Sequence, residues 1–368
     1  MRRRAILLVL VMSAGFARAA TRDEPVRVTV QQLQQFLDEQ QAEQVGDRDL
    51  AQKLAGAELS EQLTEFDLDR LKAELKLGEE TVTELNILAD LSAFLEPPAA
   101  ERPAKVPPDV AAQKDIIRAA QSFAEVTLKR LPDFLATRTT RSFEDIPIDV
   151  GGGTAQSGMH PVRTLVREVA YHNGMEISRD VTAAQIPGDA REASLPTLSS
   201  AGEYGPALTI VLGDSAHGTI TWSHWEQTSA GTVAVFHYEV PKEDSHYQVD
   251  YCCALDMHKR EYVSFHGKPA YSGLISIDPA TGDVLRLTLQ AQIGDFDPVL
   301  QLGFLVSYGE VEVEGKRLIC PLHSAVTLRS EWVFQKRVRH LIRVNDVVFT
   351  AYRRFGSTAR IVTNQPAQ

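Results

Sequence analysis

Cysteine is scarce in this chain. Only Cys252, Cys253 and Cys320 occur among 368 residues, too few for a disulfide scaffold, and none has the paired CxxC spacing of a structural zinc site. Basic residues are outnumbered, with 38 Lys and Arg against 49 Asp and Glu and a formal net charge of -11. A nucleic-acid binder needs a basic stripe that neutralises several phosphates, so that class of partner is excluded. The motifs HExxH, GxSxG, GxxxxGK[ST] and GxGxxG are all missing. The common metalloprotease, hydrolase, nucleotide and dinucleotide signatures are therefore not available to argue from. No segment after the N-terminal leader is apolar for the roughly 20 residues that a membrane helix needs, so an integral membrane protein is not expected. What remains is ordinary globular composition, 43% hydrophobic and 24% charged, with length enough for two domains.

The N terminus carries an address. Arg2, Arg3 and Arg4 precede a short apolar run from Ala5 to Val11, and Ala17 and Ala19 offer small residues where a signal peptidase reads. This pattern predicts a cleaved leader over residues 1–19 and an exported chain, periplasmic or extracellular. Losing the four leader arginines takes the formal charge from -11 to -15.

Acidity is concentrated next. Residues 21–96 hold 18 Asp and Glu against 7 Lys and Arg, and their apolar residues recur at helical spacing: Leu33, Phe36 and Leu37, then Leu63, Leu71 and Leu75, then Leu85, Leu88, Leu91 and Leu95. Three or four short helices are expected, with Thr64 and Asp67 resembling a capping pair and Gly46 and Gly78 as stops. The charged faces read either as solvated surface or as an acidic docking surface for a basic partner. Five prolines then fall within residues 97–108. Proline lacks a backbone donor and stiffens the chain, so this stretch reads as a linker.

Beyond the linker the periodicity changes. Ile116, Ala120, Phe123, Ala124 and Leu128 line one face of a helix that should end at Leu131-Pro132. From Pro161 onward the pattern alternates. Residues 164–172 and 175–179 flank Asn173-Gly174, a pair suited to a tight hairpin. Residues 219–227 pair with 232–240, and residues 274–278 with 284–292 across a loop in which Gly282 takes the positive φ. Residues 311–314 and 316–319 turn about Gly315, and residues 336–352 supply one or two closing strands. One large curved antiparallel sheet accounts for these better than several small ones.

A helix running into Leu131-Pro132-Asp133-Phe134 and wide hairpins such as 277–287 make this region similar to the periplasmic lipoprotein-carrier and sigma-factor-regulator half-barrels. Gly202-Glu203-Tyr204-Gly205-Pro206, the segment 222–226, Ser245-His246-Tyr247 and the segment 345–350 resemble an uncharacterised group of exported bacterial proteins. The first resemblance implies an apolar concavity for a lipid chain or a partner segment; the second implies export and two parts, and brings no catalytic or ligand residues. The carriers have no acidic helical module in front.

The expected fold class is therefore α+β: a small N-terminal helical module over 20–96, the linker 97–108, then an antiparallel β half-barrel-like domain with an accompanying helix over 109–355, and a flexible tail over 356–368. The expected function is non-enzymatic binding in the cell envelope. The concave face would hold an acyl chain, a lipoprotein or a partner segment, with Trp222, Phe236 and Tyr238 at strand spacing as ligand-binding residues. Two alternatives stand beside it: an interaction protein with a self-filled sheet and an acidic docking module, and a hydrolase with an unrecognised site.

No cofactor and no metal are expected. His224, His237 and His246 lie in neighbouring predicted strands but without fixed ligand spacing, which reads as cross-strand pairing. Asp278, Asp283, Asp295 and Asp297 lack the alternating oxygens of a calcium loop and read as turn residues. Ser245-His246 has neither an elbow nor oxyanion donors around it. Alternation over 247–255 puts Cys253 on the apolar side with Tyr247, Val249 and Tyr251, and Cys252 opposite. Cys320 shares the apolar side of its hairpin. A Cys253–Cys320 bond is then permitted in an oxidising compartment, beside the alternatives of buried thiols or a vicinal Cys252–Cys253 bond.

Overall fold

The computed structural model describes residues 27–127, 134–145, 148–149, 155–156, 158–172, 175–180, 198–229, 231–256, 261–293, 299–334 and 337–354. The leader 1–19, the Asn173-Gly174 turn, the helix end at Leu131-Pro132, Asp295, Asp297 and the tail 356–368 lie outside the described residues.

The acidic module contains four helices: α1 (Val30–Ala42), α2 (Asp47–Leu54), α3 (Glu65–Glu74) and α4 (Glu79–Ser92). Their apolar stripes meet in one core that includes Leu33, Leu37, Leu54, Leu63, Leu71 and Leu85, as helical spacing requires. Two short strands, β1 (Arg27–Val28) and β2 (Glu58–Leu59), pair in parallel beside them. The Thr64 hydroxyl accepts from the Asp67 backbone N–H and caps α3 as expected. Gly46 and Gly78 do the opposite of what the pattern suggested: each sits at the start of a helix, in extended backbone, not at a stop. The reason at Gly78 is space. A Cβ there would collide with the Asp47 carboxylate, which accepts from the backbone N–H groups of Glu80 and Thr81 and so caps α4 from another helix.

After a 3-10 turn at Ala99–Glu101 comes α5 (Val110–Ser122), capped by Asp109 and continued by a π turn at Phe123–Thr127. The strands follow: β3 (Phe134–Glu144), β4 (Ile148–Asp149), β5 (Ala155–Gln156), β6 (His160–His172), β7 (Met175–Asp180), then helix α6 (Pro206–Asp214) and β8 (Thr219–Thr228), β9 (Gly231–Val240), β10 (Val249–Asp256), β11 (Glu261–Gly267), β12 (Ala270–Ile277), β13 (Val284–Gln292), β14 (Val299–Val313), β15 (Lys316–Phe334) and β16 (Arg337–Arg354).

Ten of them form one antiparallel sheet in the order β7-β6-β3-β16-β15-β14-β13-β12-β9-β8. The two ends do not pair, so the sheet is an open, half-barrel-like one and the α+β class holds. The hairpins read from the sequence are present, and Gly282 has the positive φ of +81° assigned to it. Backbone N–H groups of Ala280 and Thr281 bond to the Asp278 carboxylate, the turn chemistry expected of that loop.

One strand departs from expectation. The segment read as 247–255 begins at Val249 and pairs only with β11, in a two-stranded ribbon separate from the large sheet. A register shift at Cys253 leaves that residue opposite no partner and breaks the alternation used to orient it. Cys320, on β15, is a free and fully buried thiol, so the Cys253–Cys320 bond is not made.

At β9 both faces of the large sheet are covered. In β9, consecutive residues Val233, Ala234, Val235 and Phe236 are all buried, which a sheet with one wet face would not show. The inner face packs against α5, the π turn and α6 through Ile116, Ala120, Phe123, Leu208, Val211 and Leu212. On the outer face, Ala93 and Phe94, just after α4, pack on Leu305 and Ala325 of β14 and β15.

Candidate functional site

Trp222, Phe236 and Tyr238 do come together on the inner face, but as core. Phe236 and Tyr238 are fully buried, and Trp222 is half-buried with its ring edge-on to Phe236 at 5.5 Å and to Trp225 at 4.9 Å. Tyr238 reaches across Gly273 on β12 and donates its hydroxyl to the Thr288 carbonyl at 2.6 Å. A Cβ at position 273 would collide with that carbonyl and hydroxyl, which is why glycine stands there.

Helix α6 packs in the same core. Its sequence is apolar nearly all round, and buried Ala207, Leu208, Val211 and Leu212 face the sheet. It is fastened at both ends. Before it, Glu203 is fully buried and accepts from Arg138 Nη2 at 2.9 Å and from the Ser200 hydroxyl at 2.6 Å. Tyr204, beside it, inserts among Phe134, Tyr171, Phe349 and Tyr352. At its far end, buried Asp214 accepts from the Tyr271 hydroxyl at 2.8 Å and from His246, through the backbone N–H at 2.7 Å and Nδ1 at 2.6 Å. Burial and this bond raise the Tyr271 pKa, so Tyr271 stays a donor.

Two histidine arrangements touch on hydrolysis. His246 bonds Asp214 and is largely exposed, but the Ser245 hydroxyl is buried without a partner and does not meet the ring. On β8, the Ser223 hydroxyl lies 2.9 Å from His224 Nδ1, and His224 Nε2 lies 3.4 Å from Glu226. This order resembles a triad, yet Glu226 is held by Arg286 through two hydrogen bonds of 2.8 and 2.7 Å. Burial alone would raise the Glu226 pKa, but the Arg286 charge, with help from His224, brings it down to about 2. Both oxygens of that carboxylate are thus already engaged by the Arg286 fork. His237 Nδ1 lies 4.0 Å from exposed Glu239, and among the described residues the three histidines weighed as ligands do not converge.

The boundary between the module and the sheet carries buried charge. Residues 97–108 do more than span it: Trp225 Nε1 donates to the Val106 carbonyl at 3.0 Å, and Lys105 Nζ lies 4.0 Å over the Trp225 ring. Buried Glu101 accepts from the Thr64 hydroxyl at 2.6 Å, and its pKa is pushed up to about 8, chiefly by burial and by the neighbouring Asp67. Further along, Asp90 at the end of α4 meets His323 of β15 and Asp346 of β16. His323 Nε2 lies 3.3 Å from Asp90 Oδ1 and 3.1 Å from Asp346 Oδ1. Burial would lower the His323 pKa, but the two carboxylates hold it up to about 9; burial raises that of Asp90. Sequence reading missed this cluster. Its only local sign is acidic Asp90 within the apolar stripe of α4.

No protein-family model matches the chain, and no curated protein matches it. A solved Vibrio parahaemolyticus domain described as an outer membrane lipoprotein-sorting protein aligns with 68% of this chain and 95% of its own, at 10% identity and a TM-score of 0.30. Likeness at that level carries no functional argument. Among the described residues, no helix is long and apolar enough to cross a membrane.

Proposed function

We propose that this is an exported, non-enzymatic interaction protein of the cell envelope, with a sheet filled by its own helices and an outward acidic module as the binding element. The observation that supports this reading is the fastening of α6 at both ends, by Glu203 to Arg138 and by Asp214 to Tyr271 and His246. An acyl-chain holder needs an apolar gap, and the inner face offers Phe236 and Tyr238 already covered. A cavity of 340 Å³ at the ends of β12, β13 and β14 has a mixed lining, with Ser272, Gln290, Gln292 and Gln301 beside Ala291, Ile293, Val299 and Leu300. Export rests on the leader. Exposed Asp38, Glu43, Asp49, Glu79 and Glu80 give the module a surface to which a basic partner would be steered.

A second reading, the hydrophobic-ligand holder, is favoured by one feature: α6 follows Gly202 and Gly205, both at positive φ of +92° and +144°, where the chain turns sharply into an apolar helix. Native mass spectrometry of protein purified from the periplasm of its own host separates the two. Lipid-free spectra with a mature N terminus at Ala20 are expected. A stoichiometric lipid mass would overturn the first reading in favour of the second, with α6 displaced.

A further inference from the structure

Three side chains from three elements converge where the helical module meets the outer face of the sheet. Asp90 and Asp346 are 1% and 2% exposed, while a quarter of the His323 side chain reaches solvent. One donor atom of each lies within 4.8 Å of the others. Asp90 Oδ2 is buried and has no hydrogen-bond partner, a costly arrangement for a carboxylate oxygen. Two carboxyl groups and one imidazole face one another there, and the further charges near the cluster, Glu65 and Lys72 of α3, are of opposite sign.

We propose that Asp90, His323 and Asp346 form a binding site for a divalent transition ion of the zinc class, fastening the helical module to the sheet. Bonds of about 2.0–2.2 Å at tetrahedral angles put ligand atoms about 3.3–3.6 Å apart. His323 Nε2 lies at that spacing from Asp90 Oδ1, 3.3 Å, and a few tenths of an ångström inside it from Asp346 Oδ1, 3.1 Å. An ion seated there takes the imidazole nitrogen and one oxygen from each carboxylate, and its double charge offsets both. The orphaned Asp90 Oδ2 gains a partner by swinging toward the ion or bonding to its water. The exposed side of His323 is the entry path and leaves a fourth position for water. Calcium and magnesium favour shells of six or more oxygens, which an imidazole and two buried carboxylates do not supply.

The test uses the full, untagged chain stripped with a chelator and titrated with zinc by calorimetry, then with cobalt by visible absorption. One equivalent of zinc should bind, and cobalt should give the intense absorption of a tetrahedral site. His323→Gln, Asp90→Asn and Asp346→Asn, each checked for folding by circular dichroism, should each weaken zinc at least tenfold, while His246→Gln should not. Absence of saturable zinc binding by the folded wild type overturns the proposal. So does wild-type affinity in any folded variant of the three. If His323→Gln does not fold, the two Asp→Asn variants, which keep side-chain shape, decide.

Discussion

Arg286 on β13 clasps Glu226 on β8 across the two strands between them, with Nη1 donating to Oε1 at 2.8 Å and Nη2 to Oε2 at 2.7 Å. Register explains the reach. Arg286 lies opposite Ser276, Ser276 opposite Val235, and Val235 opposite His224, so one row runs over the outer face toward Glu226. Ser276 and Val235, both buried, lie in that row.

Breaking this pair should cost more than removing it. Arg286→Met strands a buried carboxylate and should destabilise the protein by about 3–5 kcal/mol, whereas Arg286→Met with Glu226→Leu should recover most of that loss. Urea unfolding of the three chains measures it; equal loss in single and double variants would show that packing of the arginine stem is what counts.

Glu101 gives stability a pH dependence of defined sign. Its folded pKa, about 8, lies above the ordinary glutamate value of 4.5, so between those values the folded chain keeps a proton that the unfolded chain releases. This contribution is complete below pH 4.5 and is lost as pH rises to 8. Glu226, lowered to about 2, acts in the other direction, and its contribution is lost as pH falls from 4.5 toward 2. Denaturation midpoints should therefore peak in mild acid, and Glu101→Gln should flatten the alkaline limb. A variant with an unchanged limb would refute the assignment.

Cys320 should be unreactive in the folded protein. It is fully buried, and burial pushes its pKa up to about 12, so almost no thiolate is present at neutral pH. Alkylation before and after unfolding, followed by peptide mapping, should label Cys320 only after unfolding. A disulfide-linked peptide joining Cys253 and Cys320 would contradict the free thiol.

Residues 97–108 remain the proposed domain boundary, but a cut there should not release the module. Trypsin should cleave after exposed Lys105. The two pieces should still elute together, because Ala93 and Phe94 pack on Leu305 and Ala325 and Asp90 meets His323. Separate elution on gel filtration would show two independent units.

The features read correctly from sequence are those set by neighbours in the chain. Leu33, Leu37, Leu71 and Leu85 mark helix faces because a helix repeats every 3.6 residues, and the hairpins at β8–β9 and β12–β13 are marked by alternation and by Gly282. Where a local irregularity intervened, the reading slipped. The backbone register shifts at Cys253, so strict alternation does not carry through its strand, and Gly78 was needed for the approach of Asp47, not for a positive φ.

The sequence by itself determined the acidic helices, the proline segment and the antiparallel sheet, because each is a pattern of composition or period within a short window. Only the tertiary structure decided what covers each sheet face. Alternation divides Phe236 from Val235 but does not say that α6 covers one side while other elements bury the other. It also decided which charges meet. Asp90 and His323 lie on an early helix and a late strand, and they meet where Ala93 and Phe94, just after α4, pack on Leu305 and Ala325.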